Sequence, residues 1–308
     1  MWWSRWVQAI YGRSAMSLFK GLEQIVKTNY PLADLTWYRI GGPADYLVWP
    51  QDISQLRQVV LRCQEAGVRM YVLGQGSNLL VSDDGVRGAV IKLDGPGFTT
   101  MSFDGERVHV GAGVGLPGLV LECVKRGLSG LEGLTGIPGS VGGAIRMNAG
   151  GRFGDIGTVV ESVTLMDIKG QVYEKAKPEL VFDYRSSNIA ARFILAATIR
   201  LGPADPDQVL RAVQEVWIYK KNHQPLEQRS CGCVFKNPKG QAAGELIERA
   251  GLKGLRCGKA AISDKHANFI VVEPGCSAKD VLKLMEITQE RVRQAFGIEL
   301  EREIEVWM

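Results

Sequence analysis

Several features that would assign this 308-residue chain to a class at once are missing from it. No apolar run approaches the ~20 residues needed to cross a bilayer, which excludes a transmembrane helix. Lys and Arg form no stripe, and a formal charge of +4 over this length suits an anionic small molecule better than a nucleic acid. The six cysteines, at 63, 123, 231, 233, 257 and 276, are scattered through a chain large enough to fold without staples. That usage fits reduced thiols in the cytoplasm. Cys231-Gly-Cys233, with Cys257, His266 and Cys276 downstream, lacks the C-x₂₋₄-C spacing with which zinc sites begin, so no metal is expected. Internal repeats and low-complexity tracts are also missing.

What is present describes an ordinary globular protein, 45% hydrophobic and 23% charged, longer than one core of ~100–200 residues. Short β-branched and aromatic runs bounded by Gly, Pro and Asp predict strands at 45–49, 69–73, 89–93, 108–110, 163–167, 171–175 and 193–201, with a hairpin at Lys169-Gly170. Asp52 is placed to cap a helix burying Leu56, Val59, Val60 and Cys63 and ending at Gly67. A second helix is expected at 117–126, stopped by Gly127. Asp205-Pro206 opens a third carrying Val209, Val213, Val216 and Trp217. Ser277 and Asp280 form a capping box for a fourth, with Leu284, Thr288, Val292 and Phe296 inward and Gly297 as its end.

These elements predict an α+β protein with an N-terminal extension at 1–20, a larger unit at 21–203 in two lobes split near 95, and a smaller α+β unit at 204–308. The extension MWWSRWVQAIYGRSAM has no long apolar core, so it does not read as a signal peptide. Trp2, Trp3 and Trp6 with Arg5 and Arg13 would also suit a membrane headgroup layer.

Two glycine-rich segments carry the functional signal: LGQGSNLLVSDDG at 73–85 and GIPGSVGGA at 136–144. Gly74-Gln75-Gly76-Ser77-Asn78 offers successive N–H groups unobstructed by side chains, the composition of a nest for a pyrophosphate. Gly136 to Gly143 offers a second such surface, and one diphosphate held between two lobes would explain both. Gly113-Val-Gly115-Leu-Pro-Gly118 matches GxGxxG literally. The stretch after it contains neither the second strand nor the acidic residue of a dinucleotide fingerprint, so these glycines read as turn and packing residues.

The ordered motifs LGQGSNLLVSDDG, GAVIKL, GLEGLTGIPGSVGGAIRMNAGG, FDYRSSN, SCGCVFKNP, AGELIERAGLKG, KHANFIV and FGIELEREI, spread over about 29–304, resemble the shorter class of the UDP-N-acetylenolpyruvoylglucosamine reductase family. The resemblance implies a two-lobed FAD-binding domain of the vanillyl-alcohol-oxidase type plus a C-terminal substrate-binding domain. It implies hydride transfer from NADPH through FAD to an enolpyruvyl ether on a UDP-sugar. The expected flavin contacts are Arg39, Gly41, Gly42, Gly74, Gln75, Gly76, Ser77, Asn78, Leu79, Gly136, Ile137, Pro138, Gly139, Ser140, Gly142, Gly143 and Asn148. His109, His223 and His266 lie outside both loops, so FAD is expected to be non-covalent.

By the same resemblance Arg185 meets the substrate carboxylate and Glu303 stabilises the enolic intermediate, while Lys221, Lys236, Asn237, His266 and Asn268 are candidate substrate contacts, with Lys220 beside them. The chain departs from the family pattern at 233, where Cys stands in place of serine as the acid. A thiol of reference pKa ~8.5 can donate a proton and still be mostly protonated at neutral pH. Other readings are an FAD-dependent oxidase or dehydrogenase of the same fold, against which SCGCVFKNP and LEREI argue, and a non-catalytic flavin-binding protein. The oligomeric state is left open.

Overall fold

The computed structural model describes residues 18–308, so the Trp-rich stretch of the expected extension lies outside the described residues. The first lobe contains β1 (Val26–Pro31), β2 (Pro43–Val48), α1 (Ile53–Glu65), β3 (Met70–Leu73), β4 (Leu79–Val81) and β5 (Val86–Lys92). Its sheet has the order β1-β2-β5-β3. β1 runs antiparallel to β2, and β5 runs parallel to both of its neighbours. Asp52 caps α1 by accepting from the Gln55 amide at 2.8 Å, the four expected apolar residues are buried, and Gly67 turns the chain at φ +66°. The glycine-rich segment at 73–85 thus connects strands of one lobe.

The second lobe begins after Phe98 with β6 (Met101–Asp104) and β7 (Arg107–Gly111), followed by α2 (Leu116–Lys125) and the short α3 (Val141–Arg146). β8 (Val160–Met166), β9 (Val172–Ala176) and β10 (Phe193–Arg200) complete an antiparallel sheet of order β9-β8-β10-β7-β6. The strands predicted from sequence are all found, shifted by three residues at most. The expected loop at 136–144 is part helix: Ser140 caps α3 by accepting from the Gly143 amide at 3.3 Å.

α4 (Pro206–His223) buries Val209 and Val213 in the core formed by Val108, Leu119, Val120 and Leu201 of the second lobe. Burying such a side chain contributes about 1.5–3 kcal/mol, which ties α4 to that lobe rather than to the C-terminal unit. We propose a domain boundary at His223 in place of 203. Trp217, expected inward, is 45% exposed, because its position falls on the flank of the Val209-Val213-Val216 stripe.

The C-terminal unit comprises α5 (Ala243–Arg249), an antiparallel sheet of β11 (Arg256–Cys257), β12 (Ala260–Ile262) and β13 (Ile270–Val272), α6 (Ala278–Phe296) and β14 (Glu305–Trp307). The capping box forms as expected: Ser277 Oγ accepts from the Asp280 amide at 3.1 Å, and the Asp280 carboxylate accepts from the Ser277 amide at 3.3 Å. Contacts from several of its segments weld this unit to the first lobe. Tyr38 is buried in the C-terminal core beside Cys231, Asp83 accepts from the Ala278 amide of α6 at 2.8 Å, and β14 pairs in parallel with β4.

Candidate active site

The two glycine loops touch. Ser77 Oγ donates to the Pro138 carbonyl at 3.0 Å, and the second loop is further tied to the 113–118 turn, where Leu116 N donates to the Gly139 carbonyl at 2.8 Å and Gly115 and Ser140 form an antiparallel bridge. A Cβ on Gly74 would stand 2.6 Å from Ser140 Oγ, and one on Gly76, at φ +66°, would stand 2.1 Å from the Leu35 carbonyl oxygen. One on Gly142 would meet Ala112 at 2.8 Å and one on Gly42 the Asp83 carbonyl at 2.2 Å. Only bare backbone permits this approach. Gly41 and Gly136 also adopt positive φ, and Gly136 faces the edge of the Trp217 ring.

Beside the seam lies a cavity of about 410 Å³ lined by Asp34, Leu35, Thr36, Trp37, Arg39, Gln75 and Lys92. Its two cations suit a diphosphate, though Lys92 already pairs with Asp94 and Arg39 donates to the Asp34 carbonyl at 2.6 Å. Leu79 is a buried residue of β4, and Ile137 is half-buried against the second-lobe core. The glycine seam and this cationic hollow fit the nucleotide part of a flavin.

Of the four non-glycine described residues at positive φ, three are Arg39, Asn148 and Arg185. Each such backbone costs on the order of 1–3 kcal/mol and persists only where its surroundings enforce it. Asn148 supplies part of that enforcement. Its amide donates to the Asp183 carbonyl at 3.1 Å and accepts from the Gly157 amide at 3.0 Å, so its side chain is spent holding the hairpin Phe182–Asp183/Ser186–Ser187 that carries Arg185.

Arg185, Glu303 and Cys233 come from three separate segments and meet in one corner. Arg185 Nε donates to Glu303 Oε1 at 2.6 Å and its Nη1 to the Gly150 carbonyl at 2.8 Å. Burial raises the Glu303 carboxyl above the ordinary carboxylate range, against the opposing pull of Arg185 and Lys236. The half-buried Cys233 thiol is pushed up to about 12 by desolvation and by the Glu303 carboxylate, with Arg185 and a hydrogen bond from Asn268 opposing. It is therefore a fully protonated thiol at neutral pH. Lys220 extends the corner: buried, it donates to the Thr135 carbonyl at 2.5 Å, and desolvation together with Arg185 lowers it to about 8.

The substrate candidates fare unequally. Asn268 is 3% exposed; besides meeting the Cys233 thiol it binds Phe235 with its side chain, accepting from its amide at 2.9 Å and donating to its carbonyl at 2.7 Å. It holds the Cys233 segment in place. His266 accepts at Nδ1 from the Asn268 amide at 3.2 Å, and burial lowers it below the ordinary imidazole range. Lys236 pairs with Glu301 at 2.5 Å, and Lys221 is exposed. Asn237 accepts from the Ala243 amide at 2.9 Å and borders a cavity of about 390 Å³ with Gln241, Glu245 and Arg249.

Tyr184, which the sequence did not single out, accepts from the Asn237 amide at 3.1 Å and joins the Arg185 hairpin to the C-terminal unit. Its signal was adjacency to Arg185. The signal for Lys220 was clearer, since it continues the buried 209-213-216 stripe.

Two lobes meeting along bare backbone, with residues 44–175 matching the family described as FAD binding domain, place the chain among FAD-dependent oxidoreductases. Residues 224–307 match UDP-N-acetylenolpyruvoylglucosamine reductase, C-terminal domain. UDP-N-acetylenolpyruvoylglucosamine reductase 2 of Symbiobacterium thermophilum is 43% identical over 92% of each chain. The reductase of Bacillus subtilis is 39% identical over 91% of this chain and 93% of its own. The crystal structure of the Thermus caldophilus reductase superposes with a TM-score of 0.78 at 42% identity, covering 91% of this chain and 98% of that one. The chain belongs to the UDP-N-acetylenolpyruvoylglucosamine reductase family.

Proposed function

We propose that the chain reduces the enolpyruvyl ether of UDP-N-acetylglucosamine-enolpyruvate to UDP-N-acetylmuramate at the expense of NADPH, with Cys233 as the proton donor. FAD, when bound, supplies the hydride relay from NADPH to the alkene. The seam of Gly74–Asn78 and Gly136–Ser140 would hold its diphosphate through backbone amides. None of the three histidines lies in these loops, which supports non-covalent retention. Free thiols at all six cysteines and the absence of a membrane-crossing helix among the described residues support a cytoplasmic site of action.

Hydride delivery to the terminal alkene carbon leaves negative charge on the adjacent carbon and its carboxylate. Arg185 offers a guanidinium to that charge. Glu303, biased by burial towards its protonated form, can hydrogen-bond the enolate oxygen instead of repelling it. The adjacent carbon then takes the thiol proton of Cys233, so one hydride and one proton add across the double bond. The thiolate left behind recovers its proton from solvent.

The observation that carries this reading is the convergence of Arg185, Glu303 and a protonated Cys233 from three distant segments. NADPH oxidation that depends on the enolpyruvyl UDP-sugar tests it. In Cys233→Ala, NADPH should still bleach the flavin while re-oxidation by that substrate slows ~10²–10⁴-fold, and Cys233→Ser should retain activity. Unchanged turnover in Cys233→Ala would reject the thiol as acid.

A further inference from the structure

We propose that Trp307 is a positioning residue for Glu303, anchoring a C-terminal strap that hangs the carboxylate from the flavin loop; this rests on the role of Glu303 in stabilising the enolate. Residues 301–307 make two successive sets of backbone pairings, an isolated bridge and then a strand pair, and Glu303 stands where one gives way to the other. Upstream, the strap pairs with the extended segment that carries Cys233. Lys236 N donates to the Glu301 carbonyl at 2.8 Å, Phe235 and Arg302 form an antiparallel bridge, and Glu303 N donates to the Val234 carbonyl at 2.8 Å. Downstream, it pairs with the first lobe. Asn78 Nδ2 donates to the Glu303 carbonyl at 3.2 Å, Glu305 N donates to the Asn78 carbonyl at 3.1 Å, and Glu305, Val306 and Trp307 align with Leu79, Leu80 and Val81.

The residue that carries the carboxylate is thus fixed at its amide to the Cys233 segment and at its carbonyl to the flavin loop. The downstream ladder is a two-stranded parallel pair at the end of the described chain, and so short a pair is marginal without side-chain support. Trp307 supplies it. Its ring lies 4.9 Å from that of Tyr71 in β3, tilted by 47°, and it packs on the cluster of Leu32, Leu47, Leu79 and Val81. Its carbonyl accepts from the Ser82 amide at 2.8 Å. Releasing this anchor would leave the Arg185 bond, the upstream pairing, the buried side chain of Ile304 and the single Asn78 amide bond to hold Glu303, with the strand pairing that sets its distance from the flavin loop loosened.

The test compares Trp307→Ala and Trp307→Phe in FAD-loaded enzyme, following the two half-reactions separately by flavin absorbance, with Glu303→Gln in parallel. In Trp307→Ala, FAD content and bleaching by NADPH should be unchanged, while re-oxidation by the enolpyruvyl UDP-sugar slows ~10–100-fold, the loss expected for a displacement of about 1 Å. Trp307→Phe should recover most of the rate, and Trp307→Ala should add little to Glu303→Gln. Loss of FAD, an equal fall in both half-reactions, or an unaltered re-oxidation rate in Trp307→Ala would overturn the positioning role. If Glu303→Gln collapses re-oxidation while Trp307→Ala leaves it intact, only the anchor assignment fails. If Glu303→Gln re-oxidises normally, the role of Glu303 fails and the anchor's purpose with it.

Discussion

The glycine seam and the Arg185 corner are built by opposite means. In the seam the proposed binding surface is backbone, the glycines are consecutive or nearly so, and the close approach depends on the absence of side chains: a Cβ on Gly76 would lie 2.1 Å from the Leu35 oxygen. In the corner the proposed reactive surface is side chain, each residue comes alone from its own segment, and neighbours hold it in place. Asn148 holds the Arg185 turn, Asn268 holds the Cys233 segment, and Val234 and Asn78 hold Glu303. The seam should fail when something is added, and the corner when something is taken away or moved.

Substitutions can break that contrast. Arg185→Lys keeps the charge but loses the planar fork that reaches both Glu303 and Gly150. Re-oxidation should slow ~10²–10³-fold with FAD content unchanged. A colourless variant would show that the corner also holds the cofactor.

Gly76→Ala should cost about 3 kcal/mol or more, because φ +66° and the Leu35 oxygen both oppose a Cβ. It should also lose FAD, read as flavin content and denaturant midpoint. Gly118→Ala sharpens this result. That glycine belongs to the GxGxxG string, but it lies inside α2 with nothing within 4 Å of its added Cβ. The change should be neutral or stabilise by about 0.5–1 kcal/mol. Destabilisation there would mean that the string is functional after all.

The smallest expected loss belongs to the weld between units. Asp83→Ala removes the carboxylate that accepts from the Ala278 and Lys279 amides at 2.8 and 3.3 Å. It should cost about 1 kcal/mol, the usual worth of an N-cap. The loss should appear in the melting temperature and not in either half-reaction.

The elements that read clearly from sequence were those whose cause is local. The cap at Asp52, the capping box at Ser277, the stop at Gly297 and the hairpin at Gly170 each rest on a few adjacent residues and formed as expected. β1, β4 and β14 did not read, because their pairing partners lie elsewhere in the chain and two of them are only three residues long. α3 hid inside a segment whose glycines argue against a helix; its start is set by Ser140 and by packing against Ala112. The boundary at 203 followed a Pro-rich composition, whereas the valines of α4 chose the second-lobe core.

By itself the sequence determined the two bare loops, the capped helices and the identity of the residues able to carry charge or a proton, since each depends on chemistry within a few neighbours. Tertiary structure alone decided that the loops face one another, that Asn148 and Asn268 serve as braces, and that Glu303 lies against Arg185 with its carboxyl raised by burial. The reason is that a hydrogen bond between residues 118 positions apart, or the dielectric around a carboxyl group, exists only after packing has brought distant segments together and removed the water between them.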